Sequence, residues 1–271
     1  MSLDPRTFLL ESEVWMNWIP IYKKELRSYF SSPIAYVIMF IFTGILGVWW
    51  FFWDFQRYLM VSMQAAQNPY FMESLNVNDV VIRNLFGNMA LVILFGLPLL
   101  TMRLFAEEKK TGTYELLFTL PLRDWETLLG KFLACWTVFA LMLALTAIYP
   151  VTTALLTNPE MWPILTGYLG MLLMGGSFIS LGIFVSSLTE NQIIAAFGTY
   201  GLLLVVLALG WTSGFMGPTG AAILKDLNVF NHLQEFLKGV LDTRDVVFYL
   251  LFSYLFMFLT LRSLESKRWR G

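Results

Sequence analysis

The residues of this chain that could do chemistry are few and clustered. One run reads Glu107, Glu108, Lys109, Lys110, Thr111, Gly112, Thr113, Tyr114, Glu115, Leu116 and Leu117. Its charges come in blocks, its Thr-Gly-Thr carries turn and capping chemistry, and its leucine pair supplies apolar knobs. Such a run suits contact with another protein rather than bond making. Gly130 and Lys131 have the makings of a phosphate loop, but Phe132 stands where that loop needs Ser or Thr, so no phosphate cradle is expected. The chain has no paired-cysteine motif, no His-Glu-x-x-His and no Gly-x-Ser-x-Gly. Cys135 is a single cysteine and has no internal disulfide partner. The single His232, among Asn231, Gln234 and Glu235, reads as a surface or interface residue rather than a ligand or proton carrier. The expectation is a non-catalytic chain.

Those few residues must be held by a very apolar scaffold. Of 271 residues 57% are hydrophobic and 14% charged, against about 25% charged in soluble domains. A net charge of -1 excludes a basic nucleic-acid footprint. A helix needs about 20 apolar residues to cross a bilayer, and six windows approach or meet that length: residues 33–53, 84–102, 132–156, 162–188, 192–211 and 246–264. No signal peptide is read before the first, because the stretch ahead of Pro33 holds Asp4, Glu11, Glu13 and Glu25. With both termini on the cytoplasmic side, 13 Lys and Arg face inward and 5 outward, the asymmetry that sets topology. The expectation is an inner (plasma) membrane protein crossing six times.

Apart from Arg262, near the end of the last and placed to snorkel to the interface, the six windows contain no Asp, Glu, Lys, Arg or His. An ion-coupled transporter normally keeps such a group near the midplane, so that class is disfavoured. Gly176 with Ser180, and Gly182 with Ser186, place small residues at helical spacing; packing inside one bundle is favoured there over a subunit interface.

Three segments lie outside the spans. Residues 14–31 repeat apolar and aromatic residues at Ile19, Tyr22, Leu26, Tyr29 and Phe30, with Lys23, Lys24, Arg27 and Ser28 off that stripe. This is an amphipathic helix for the inner interface, with Trp15, Trp18 and Tyr22 at headgroup level. A plain anchor and a signalling role stand equally open for it. Ser31, Ser32 and Pro33 end it and start the first span. Residues 106–121 form an inner loop in which Tyr114 to Leu120 makes a short helix stopped by Pro121, and Asp124 caps the next helix. Leu116, Leu117 and Leu120 would dock a cytoplasmic partner or lie on the membrane. The outer run from Thr212 to Asp245 opens on glycines and a proline, then spaces apolar residues for helices on or in the outer leaflet.

Together these features resemble the membrane subunit of an ATP-binding-cassette (ABC) transporter of the type-2 export permease family. The resemblance rests on Lys23 to Leu26, on Glu107 to Leu117, and on the turn Ser186 to Gln192. Within the family, Arg27 to Ile34 and Phe230 to Asp245 are most similar to the gliding-motility-associated permeases. The resemblance implies an all-α integral membrane fold of six transmembrane helices, with an inner coupling helix between the second and third. It implies a dimeric exporter, homo- or heterodimeric, driven by separate cytoplasmic ATPase subunits that carry the ATP and Mg, with no cofactor on this chain. Glu107, Glu108, Thr111, Gly112, Thr113, Glu115, Leu116 and Leu117 would form the ATPase contact, with Lys23, Lys24 and Arg27 beside them. Ser186, Thr189, Glu190 and Asn191 would form a second inner turn near the ATPase. An outer-side or auxiliary membrane partner is compatible with this scheme, and nucleic acid is not. The competing reading is a membrane scaffold that docks a cytoplasmic partner without ATP-driven transport. The uncharged, aromatic-rich spans fit a lipid, a hydrophobic conjugate or mechanical coupling better than a small ion.

Overall fold

The computed structural model describes residues 18–67, 76–113, 123–212, 224 and 226–268, and these are helical with no strand among them. Six of the helical stretches are long and apolar enough to cross a membrane: Pro33–Gln64, Asn78–Lys110, Asp124–Leu156, Met161–Leu188, Gln192–Leu209 and Thr243–Ser266. An even number of crossings puts the start of the first and the end of the last on one side, called here the near side.

Helix α1 (Trp18–Ser31) precedes the first span. Ser32, in extended backbone, accepts a hydrogen bond from Ile34 N and caps α2 (Pro33–Trp49), whose first position holds Pro33 where a missing N–H costs nothing. The span continues through a wider π-helical turn at Trp50–Phe55 into α3 (Gln56–Gln67). The second span opens with another π turn, Asn78–Ile82, and runs as α4 (Arg83–Thr101) and α5 (Arg103–Lys110). Pro98 inside α4 has no N–H for the ladder, and the single residue Met102, in right-handed helical backbone, separates α4 from α5. The third span is α6 (Asp124–Thr146) and α7 (Ile148–Leu156), the fourth is α8 (Met161–Leu188) and the fifth is α9 (Gln192–Thr212). On the far side α10 (Val229–Leu237) leads to the last span, α11 (Thr243–Arg268).

Helix α8 is the centre of the bundle, packed against α4, α5, α6, α9, α10 and α11. Its small residues are the reason. A Cβ on Gly182 would overlap the buried Thr101 side chain, so α4 and α8 approach backbone to side chain there. The small-residue pairs predicted for internal packing do pack internally. Phe40, Leu155 and Phe197 lie at the other extreme, mostly exposed on the outside as lipid-facing side chains are.

On the far side, α10 does not stand free. Val229, Leu233 and Phe236 are buried, and Thr166 of α8 donates to the Phe236 carbonyl at 2.7 Å. His232 is buried, which corrects the surface reading. Its Nδ1 lies 2.6 Å from Asp245 Oδ1 and its Nε2 2.8 Å from the Asp226 carbonyl, with the Phe248 ring stacked on it.

Candidate functional site

The near side gathers α1, α5, the start of α6 and the end of α8 into one polar junction. Helix α5 carries the charged run and follows α4 directly after Met102. The first amides of a helix have no partner within it. Ser186, in the last turn of α8, supplies one: its hydroxyl oxygen accepts from Phe105 N and Ala106 N, both at 3.1 Å, and donates to the Met102 carbonyl at 2.9 Å. Lys109 Nζ donates to the Ser187 carbonyl, pinning the other end of α5 to the same helix.

Helix α5 stops by a recognisable device. Thr111 closes it, its N–H donating to the Glu107 carbonyl at 3.0 Å, and Gly112 follows at φ +72, the left-handed conformation that favours glycine. The Thr111 hydroxyl donates to the Glu107 carbonyl at 2.9 Å, while that of Thr113 bonds the Glu108 carbonyl at 3.3 Å. Glu107, Lys110, Thr111, Gly112 and Thr113 all stand exposed. Thr-Gly-Thr therefore ends a helix that is an extension of the second span. Glu115, Leu116 and Leu117, and the helix expected over Tyr114 to Leu120, lie outside the described residues.

Beneath the exposed tip lies a buried charge cluster. Lys131 of α6 is 1% exposed, and its ammonium meets Glu25 Oε1 of α1 at 2.9 Å, Glu108 Oε1 of α5 at 2.9 Å and the Leu104 carbonyl at 2.8 Å. Three donors meet three acceptors drawn from two neighbouring helices, the condition under which a buried charge is tolerated. Lys24 adds a second cation, 3.2 Å from Glu108 Oε1. Its partial burial disfavours the charged ammonium, but the Glu108 and Glu25 carboxylates outweigh that and hold its pKa above the ordinary 10.5. Arg103 lies over the Tyr29 ring at 4.1 Å from its centre, and Tyr29 donates to the Leu100 carbonyl at 2.8 Å. An open cleft of about 280 Å3 runs between α1 and α5 above these groups.

Sequence reasoning placed some of these residues differently. The buried stripe of α1 is Ile21, Glu25 and Tyr29, so an acid sits at its centre, while Lys23, Lys24 and Arg27 face outward as expected. Glu108, grouped with the partner-contacting acids, turns inward, and Lys131, counted among the inner-face cations, is buried. Ser186 is wholly buried and spent on α5, whereas Glu190 and Asn191 are exposed in the turn to α9 and Thr189 is half-buried. In that turn Thr189 accepts from Asn191 N at 3.1 Å and Asn191 accepts from Ile193 N at 2.9 Å. The cap of α6 is at Arg123, not Asp124: Glu126 accepts from Arg123 N at 3.0 Å. The residues missed were Glu25 and Lys131. The available signals were the i, i+4, i+8 spacing of Ile21, Glu25 and Tyr29, and Lys131 one step before the third apolar window.

Gly130 has a steric role beside Lys131. A Cβ there would come within 3.0 Å of the Ile21 Cβ and the Trp18 carbonyl, so α1 crosses α6 at close range, and Tyr22 Oη meets Thr137 Oγ1 at 3.2 Å further along α6. The pair that fails as a phosphate loop serves as the seat of α1. A six-helix membrane bundle with a charged extension of its second span, fixed on one side, is the setting for the comparison with known families. A family model described as "ABC-2 family transporter protein" matches residues 54–262. The chain belongs to the ABC-2 transporter family. It is a multi-pass membrane component of an ABC transporter, a permease; this family works with ATP-binding subunits and often with a second permease. The matched residues of this ABC-2 chain include Glu108 and Lys131, whereas α1 and its Glu25 precede them. A comparison with curated proteins finds no match.

Proposed function

We propose that this chain is the pathway-forming subunit of a dimeric ABC exporter of the inner membrane, with its near side cytoplasmic and separate ATPase subunits docked beneath it. The exposed tip of α5 supports this reading most: Glu107, Lys110, Thr111, Gly112 and Thr113 stand clear of the bundle while Ser186, Lys109 and Lys131 anchor the helix behind them. An element that is free at its tip and fixed at its base suits the transmission of motion. Glu107, the Thr-Gly-Thr turn and the following Glu115, Leu116 and Leu117 form the contact with the ATPase, and Glu108 holds the arm from within. Lys23 and Arg27 line the same face, and Glu190 and Asn191 supply a second contact.

ATP and Mg reside on the partner. Closing of the ATPase pair biases the permease pair between two openings, a two-state element driven by a ligand bound elsewhere. The apolar windows of the spans, charged only at Arg262, suit an amphiphilic or apolar substrate, and the likeness to gliding-motility-associated permeases belongs with this proposal. Co-purification tests it. The ATPase accompanies the full chain, and the L116D/L117D double variant, still inserted in the membrane, loses it. An undiminished complex in that variant removes the docking assignment.

A further inference from the structure

From the geometry of the near side we infer that Lys131 is a positioning residue for coupling, making α1, α5 and α6 move as one body. The inference rests on the proposed docking of the ATPase at the α5 tip. Lys131 projects from the third span, yet all three of its acceptors belong to other helices: Glu25 to α1, Glu108 and Leu104 to α5. Those helices are continuous or nearly so with the first and second spans: α1 is separated from α2 by Ser32 alone, and α5 from α4 by Met102 alone. One ammonium therefore ties the near ends of three spans.

Ser186 and Lys109 tie α5 to the fourth span, while the partly exposed Lys24 reaches across to α5 from α1. The contact between α1 and α6 is a close crossing over Gly130, and cleft space separates α1 from α5. A displacement applied at Thr111 to Thr113 could then be absorbed by α5 shifting past α1 together with the fourth span, to which Ser186 and Lys109 hold it. The Lys131 cluster opposes that shift, because moving either carboxylate away exposes a buried, unpaired charge. A push on the arm is passed to the first and third spans instead of being dissipated. In this account Lys131 touches neither ATPase nor substrate; its work is to keep the arm and the spans in register.

The test uses the full chain co-purified with its ATPase, carrying Cys135→Ser and Met63→Cys. Met63 is exposed near the far end of the first span, remote from the cluster, and reports motion by its rate of maleimide labelling. In the reference complex nucleotide changes that rate. Lys131→Met loses the change while retaining the ATPase. Lys131→Met combined with Glu25→Gln leaves Lys24 and Glu108 as a balanced pair; it melts close to the reference and still lacks the change, so the loss is not one of folding. A response of reference size in the double variant overturns the inference, as does loss of the ATPase from it. A reference complex that holds no ATPase, or whose residue 63 ignores nucleotide, overturns the docking proposal instead.

Discussion

The Ser186 hydroxyl and the Phe105 amide, 81 residues apart in sequence, lie 3.1 Å from one another and join the fourth span to the arm of the second. The same oxygen serves Ala106 N and the Met102 carbonyl. Ser186→Ala therefore leaves two buried amides without that acceptor, at a cost of about 1–3 kcal/mol, since an orphaned buried group costs its full desolvation. Thermal melting in detergent measures the loss, and faster proteolysis at Lys109 and Lys110 than in the parent locates it on α5.

Gly182 marks the closest approach of α8 to Thr101. Gly182→Val forces both helices apart and costs about 1–3 kcal/mol by overpacking. The same exchange at Gly44, where nothing lies within 4 Å of an added Cβ, changes the melting temperature little. Comparable losses at the two glycines would contradict the packing described.

His232 and Asp245 test the far side. Both ring nitrogens of His232 face oxygen atoms, so the ring joins the Asp245 carboxylate to the Asp226 carbonyl in a buried contact. His232→Ala abandons the buried carboxylate and costs about 3–5 kcal/mol, whereas His232→Leu with Asp245→Leu costs much less, because removing both partners spares the uncompensated charge. Equal melting temperatures of the single and double variants would refute this.

Lys24 sets a pH dependence. Its pKa is raised in the folded protein, so its contribution is complete below the ordinary 10.5 and is lost as pH rises through the higher folded value. The side chain is 66% exposed, which limits the contribution to about 0.2–1 kcal/mol. The melting difference between the parent and Lys24→Met is constant from neutral pH to about that value and shrinks above it. A difference that grows with alkaline pH would reverse the sign and exclude the Glu108 contact.

The spans were legible because apolar length is a local property of the sequence. Residues 33–53 and 162–188 fall within the helices Pro33–Gln64 and Met161–Leu188, and Ser32 with Pro33 announces the first of them. The helices run past the apolar windows, however, and the polar junction is built from those overruns. Lys131 and Asp54 each stand one residue outside a window, and both are buried. Nothing local distinguishes a charge at a span end that meets water from one that meets a carboxylate more than a hundred residues away, as Lys131 meets Glu25. Glu-Glu-Lys-Lys likewise reads as a solvated loop, and it takes the Ser186 and Lys109 contacts to show a helix held against the fourth span.

Sidedness has its own check. With a cysteine in place of Lys110 in a Cys135-free chain, labelling by an impermeant reagent from the cytoplasmic face fixes the near side. Labelling from the opposite face would invert the assignment that the Lys and Arg distribution predicts.

The most direct measurement of the central claim is ATP turnover by the complex reconstituted in lipid vesicles. The ATPase bound to the parent chain turns over faster than the ATPase alone, and L116D/L117D abolishes the difference. Turnover unchanged by the permease, with binding that ignores nucleotide, would contradict a transport role and leave a scaffold in its place.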